Sequence, residues 1–150
     1  MNTTYFIIPC GADKTTHRAK ARDLYVSVHF SHVLRAAEAE AAATPNSVVL
    51  ILSAKHGLLH LDAEVDPYDV KMGDAEAITA EEVADTAADL GIEYGAQVYG
   101  MLPNAYREVL AEALAADDVL VHDIYEAAPG IGYQRGVASA LLRTAHLEAA

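Results

Sequence analysis

Four short apolar runs, rich in β-branched or aromatic residues and each followed by polar or glycine-proline punctuation, restrict the fold more than any other feature of this chain. They are Thr4–Pro9, Val48–Ser53, Ala96–Leu102 and Val119–Tyr125, each with the length and residue types of a buried strand. Helix-like stretches lie between them. Ala19–Ala43 is read as one long helical stretch with Leu24, Val28 and Leu34 toward the core, although its segment "YVSVHF" also alternates as a strand does. Thr79 followed by Glu82 predicts a capping box opening "TAEEVADTAADL", with Gly91 closing that helix. Asn104 is the expected cap of "AYREVLAEALAA", with Tyr106, Val109, Leu110 and Leu114 on one side, and "YQRGVASALLRTAHLEA" makes a final helix. Strands alternating with helices through short turns predict an α/β fold. We expect a three-layer sandwich with a mostly parallel sheet of about four strands, helices on both faces, and a single domain over 1–150.

The second run breaks its own pattern. After "VLIL" come Ser53, Lys55 and His56, then Gly57 and the acid-rich stretch from Asp62 to Asp69. Ligands of open α/β sheets sit outside the carboxyl ends of the strands, where loops converge and helix N-termini face them. By that rule Cys10, Lys14, Ser53, Lys55, His56 and the Gly130-Ile131-Gly132 loop share one rim. Strict alternation would send Ser53 and Lys55 one way and Ala54 and His56 the other, so a shared pocket requires the chain to bend among them.

Each of these residues has a chemistry to offer. Cys10 is a candidate nucleophile, with Lys14 and His17 near enough in sequence to favour a thiolate. Lys14 suits a phosphate anchor or an amine nucleophile. His56 titrates near working pH and can pass a proton, while Lys55 answers developing negative charge. Gly57 permits a tight turn that brings "LLHLD" back over the sheet. In "DPYD", Pro67 sets a turn, and Asp66, Tyr68 and Asp69 can hold a sugar hydroxyl or a base amino group. Gly11, Arg18, Gly130, Gly132 and Gln134 complete the expected binding set, the glycine loop offering backbone amides. Two glycines without a third, and without a ribose-binding acid, do not make a dinucleotide site. His29 and His32 stand three apart without further ligands at metal spacing. The site is therefore expected to need no metal and no cofactor.

Net charge is −12, unevenly placed: residues 1–37 carry five basic and two acidic side chains, the remainder five and twenty. So acidic a surface repels a polyanion, although a local basic mouth still receives one phosphate. The single cysteine rules out an intrachain disulfide and fits a reducing compartment. No apolar stretch approaches the roughly 20 residues of a membrane span, and the N-terminus lacks the marks of a signal peptide. A cytoplasmic location is expected, with oligomer formation open through a sheet edge.

The segments "IPCGADK", "LYVSVHF", "VLILSAKHGLL", "DPYD" and "PGIGYQ" resemble, over nearly the whole chain, a family of small bacterial and phage proteins of unassigned function. That family is distantly similar to the peroxide-stress protein YaaA. The spacing from Pro9-Cys10 to Lys14 also resembles the catalytic core of archaeosine synthase, which modifies a deazaguanine base in transfer RNA. Where that motif continues with a proline-tyrosine pair and later a serine and a histidine, this chain has Thr15, Thr16 and His17. The resemblance implies work on nucleic acids or nucleobases. The function expected is a nucleobase- or nucleotide-acting enzyme that modifies, exchanges or removes a modified base in DNA or RNA. Two alternatives stand beside it: a non-catalytic nucleic-acid-binding or stress-response protein, and a small-molecule hydrolase with Cys10 as nucleophile.

Overall fold

The computed structural model describes residues 3–124. Among these described residues, seven strands and four helices run in the order β1 (Thr4–Pro9), β2 (Ala19–Lys20), α1 (Ala21–Leu24), α2 (Val28–Ala42), β3 (Ser47–Ser53), β4 (Gly57–His60), β5 (Glu64–Val65), α3 (Ala80–Asp89), β6 (Gln97–Gly100), α4 (Asn104–Ala115) and β7 (Val121–Asp123). Five of the strands form the main sheet, ordered β4-β3-β1-β6-β7. β1 lies parallel between β3 and β6, pairing Thr4 with Ser47 and with Gln97, and β7 continues the sheet parallel to β6. β4 alone is antiparallel, closing a hairpin in which Ser53 faces Gly57. The expected α/β sandwich with a mostly parallel sheet is present, one strand wider than expected.

Strand alternation decides which side chains enter which core. Phe6, Ile8, Val49 and Ile51 join Leu24, Phe30, Val33 and Leu34 of α1 and α2 on one face. Tyr5, Ile7, Leu50 and Leu52 join Val83 and Ala87 of α3 and Leu110 and Leu114 of α4 on the other. The sheet is thus covered on both faces, which is why its central strands read as continuous apolar runs rather than as alternating ones. The last of the four runs reads through to Tyr125, while β7 as described spans Val121–Asp123.

The stretch read as one helix over Ala19–Ala43 is three pieces. Ala19 and Lys20 pair antiparallel with Val65 and Glu64 in a two-stranded ribbon. α1 makes a single turn and ends at Tyr25, whose backbone is extended. Ser27 then starts α2 afresh, its hydroxyl accepting from the Phe30 N–H at 3.1 Å. A serine set between β-branched Val26 and Val28 favours this cap over helix continuation, and Val28, expected in the core, is exposed. The Thr79–Glu82 capping box is present as expected, and Gly91 follows α3 with a φ of 81°. The cap of α4 is Pro103 rather than Asn104. Asn104 is the first helical residue and its side-chain oxygen accepts from Arg107 at 3.0 Å.

Candidate functional site

The loop after β1, the turn after β3 and the segment after β5 meet at the carboxyl end of the sheet. The β3–β4 turn answers the question of direction. Ser53 is fully buried, and its Oγ accepts the backbone N–H groups of Lys55 (3.2 Å) and His56 (3.0 Å). Those bonds fold Ala54–His56 into a turn, so the strand stops at Ser53 and alternation no longer governs Lys55 and His56. Gly57, with a φ of 77°, then sends the chain back alongside β3 as an edge strand, not over the sheet as expected. A Cβ there would lie 2.7 Å from Thr86 Oγ1, so both backbone and packing require glycine.

Tyr68 is the centre of the arrangement. Its hydroxyl lies 2.7 Å from Ser53 Oγ and makes a short hydrogen bond with the Tyr25 hydroxyl. Ser53 has used both lone pairs on the Lys55 and His56 amides, so its proton goes to Tyr68, and Tyr68 in turn donates to Tyr25. Around the Tyr68 ring stand Lys14 Nζ at 4.4 Å from the centroid, Lys55 Nζ at 6.0 Å, and the His56 ring edge-on at 5.3 Å. Lys14 also donates to the Ala12 carbonyl at 3.2 Å. Its loop is fixed by bonds from Thr15 N–H to Leu24 O and from Val26 N–H to Asp13 O. "DPYD" forms no turn; Asp66–Val70 runs without regular structure across this end of the sheet and delivers the Tyr68 ring to it.

Cys10 lies just beyond β1 with its Sγ 3.3 Å from the Tyr106 hydroxyl of α4. The thiol therefore meets a phenol, not the expected imidazole: the His17 side chain is exposed, and its carbonyl accepts from Thr15. Gly11 packs against the start of α2, where a Cβ would sit 3.4 Å from Ser27 Oγ. Arg18 lines a cleft of about 200 Å³ together with Lys55, His56, Leu59, Glu64, Val65 and Asp66. Its guanidinium is held by Asp66 at 3.1 Å and by the Glu64 carbonyl at 3.1 Å. Asp69 is exposed; the carboxylate whose charge acts on His56 is that of Asp66. Gly130, Gly132 and Gln134 lie outside the described residues.

The electrostatics follow from burial. Desolvation lowers the pKa of His56, the Lys55 ammonium pushes the same way, and Asp66 opposes both. Burial pushes the Tyr25 phenol up to about 12, against the lowering effect of its bond from Tyr68. Tyr68 and Tyr106 are also pushed up, by burial first and by the nearby Cys10 second. At neutral pH the site therefore offers neutral phenols as donors, a neutral imidazole as acceptor, and two ammonium groups. Among the described residues no three or more of His, Cys, Asp and Glu gather as they would around a metal ion.

Sequence reasoning overlooked Tyr25 and Tyr106 as members of this site. The signal was in the aromatic usage: eight tyrosines against two phenylalanines and no tryptophan. A core that needs only apolar rings has no use for so many hydroxyls, and buried phenols look for partners.

The fold and this rim define a small α/β protein with a polar, cation-bearing site at the carboxyl end of a mostly parallel sheet. The chain belongs to a family of unknown function, DUF6884, which matches residues 5–137. No curated protein and no solved structure matches it. No helix among the described residues is long and apolar enough to cross a membrane.

Proposed function

We propose that this protein is an enzyme acting on a nucleotide or nucleobase, whether free or part of DNA or RNA. One observation supports the reading above the others. Lys14 and Lys55 converge on the Tyr68 ring, and neither forms an ion pair with a carboxylate among the described residues. In a chain of net charge −12, two ammonium groups without counter-ions beside an aromatic ring suit a ligand with an anionic end and a flat end. In this reading Lys14 and Lys55 take the phosphate. His56 moves a proton between ligand and solvent, and Asp69 holds a sugar hydroxyl or base amino group. The resemblance to the YaaA-like family and to archaeosine synthase points to the same class of substrate.

Titration calorimetry with nucleobases, nucleosides and nucleoside monophosphates tests the reading. Saturable binding is expected, weakened at least about tenfold by Lys14→Ala or by Lys55→Ala, the loss of one charge-assisted hydrogen bond of ~1.5 kcal/mol. Absence of binding at millimolar ligand would overturn it.

The Cys10–Tyr106 contact supports a second reading, a small-molecule hydrolase with Cys10 as nucleophile. The Tyr106 hydroxyl, 3.3 Å from Cys10 Sγ, is placed to hydrogen-bond a sulfur nucleophile and hold its direction of attack. Alkylation of Cys10 is then expected to abolish turnover and to be blocked by substrate. Turnover that survives complete alkylation would rule the thiol out.

A further inference from the structure

The charge around the site sorts a free nucleotide from a polymer. Inside, Lys14 and Lys55 both approach the Tyr68 ring, at 4.4 Å and 6.0 Å from its centroid. On the rim of the adjoining cleft, Arg18 is held between Asp66 at 3.1 Å and Glu64 at 4.0 Å, and both carboxylates are more than two-thirds solvent-exposed. Arg18 is thus taken up by two carboxylates, which leave the rim net negative, while Lys14 and Lys55 have no carboxylate partner among the described residues. A phosphate monoester, with about −1.5 to −2 charge at neutral pH, matches the two ammonium groups. A polynucleotide does not, because the phosphates on either side of the bound residue would lie against Glu64 and Asp66 on a molecule of net charge −12. We infer that the substrate is a free mononucleotide, recognised by one phosphate between Lys14 and Lys55 and kept apart from nucleic-acid chains by the Glu64–Asp66 rim. This rests on the nucleotide reading proposed above and narrows it.

The test compares nucleoside 5′-monophosphates with a single-stranded deoxyoligonucleotide of about ten residues, a length within the usual range for single-strand sites. Both are titrated into the full chain and into its Glu64→Gln/Asp66→Asn variant over a salt series. The wild-type chain is expected to bind a mononucleotide at least about tenfold more tightly than the oligonucleotide, and inorganic phosphate is expected to compete. The variant is expected to narrow that gap by strengthening oligonucleotide binding, with the steep salt dependence of polyanion association. Both substituted side chains are exposed, so the fold is expected to survive, and a thermal melt checks it. Tighter binding of the oligonucleotide by the wild type would overturn this inference and leave the nucleotide reading standing. A gap unchanged in the variant would overturn the role of the rim. Failure of both ligands to bind would overturn the inference together with the reading it rests on.

Discussion

At the scale of single residues the site depends on a side chain that no ligand can touch. Ser53 is buried, and its hydroxyl joins the Lys55 and His56 amides to Tyr68. Ser53→Ala removes one acceptor and leaves two amide donors and a phenol short of a partner. A loss of about 1–3 kcal/mol is expected in chemical denaturation, together with weaker ligand binding as the turn loosens. A loss of stability with unchanged affinity would show that the turn is not what positions Lys55 and His56. His56 makes the second prediction. Its folded pKa is depressed by burial and by Lys55, so the unfolded chain binds more protons in the window around and below the ordinary imidazole value. Stability contributed by neutral His56 is therefore present above about pH 6.5 and is lost as pH falls below it. An NMR titration is expected to give His56 a pKa below the ordinary value, raised by Lys55→Gln and lowered further by Asp66→Asn. The three phenols behave in the opposite sense. With Tyr25 near 12 and Tyr68 and Tyr106 also pushed up, the folded chain holds protons that the unfolded chain releases. Stability falls as pH climbs past about 10. In an ultraviolet titration these three phenols are expected to ionise above the ordinary value, and substituting Tyr25 by phenylalanine should reduce that late fraction by one. Ionisation of these three near pH 10 would contradict the buried network.

At the scale of elements, the β3–β4 turn stands on one glycine. Gly57→Ala combines a positive φ with contacts of 2.7 Å and 2.9 Å to the Thr86 side chain. Thr86 Oγ1 also accepts the Leu58 N–H at 3.1 Å, so the neighbour has little freedom to retreat. The expected cost is on the order of 1–3 kcal/mol. A Gly57→Ala/Thr86→Ala double variant, which removes the collision but not the backbone strain, is expected to recover only part of it when both are measured by thermal melts. The elements also show what the sequence could reveal. Strand runs such as Thr4–Pro9 were legible because a buried parallel strand is continuously apolar, and the Thr79–Glu82 box because capping is a local interaction. Ala19–Ala43 was not, because the local Ser27 cap splits it only together with pairings from distant segments. Pairing of Ala19 and Lys20 with Val65 and Glu64, and of Val26 with the Asp13 carbonyl, brings together segments that no local period connects. The site divides in the same way. Lys14, Lys55 and His56 were legible as polar breaks at strand ends. Tyr25 and Tyr106 were hidden inside helix-like stretches, where a tyrosine reads as an ordinary core residue.

At the scale of the molecule, the site joins two cores that the sheet otherwise keeps apart. Cys10 and Tyr68 pack against the cluster on the α1–α2 face, Tyr106 and Met72 against the cluster on the α3–α4 face, and the Cys10–Tyr106 contact spans the two. The adjacent residues Ile7 and Ile8 of β1, both fully buried, enter opposite clusters. Ile7→Ala and Ile8→Ala each delete apolar volume from one face, at an expected cost of about 2–5 kcal/mol. With both faces anchored on the same central strand, neither core has a sheet to pack on once the other has melted. Each variant is expected to lower the midpoint of one shared transition rather than split it, with fluorescence and circular dichroism coinciding. On the proposed reading, a mononucleotide bound at Lys14 and Lys55 is expected to raise that same midpoint, by ~2.7 kcal/mol of added stability at a hundredfold excess over Kd. A biphasic melt, or a ligand that shifts only one of two phases, would show that the faces unfold independently and that the site belongs to one of them.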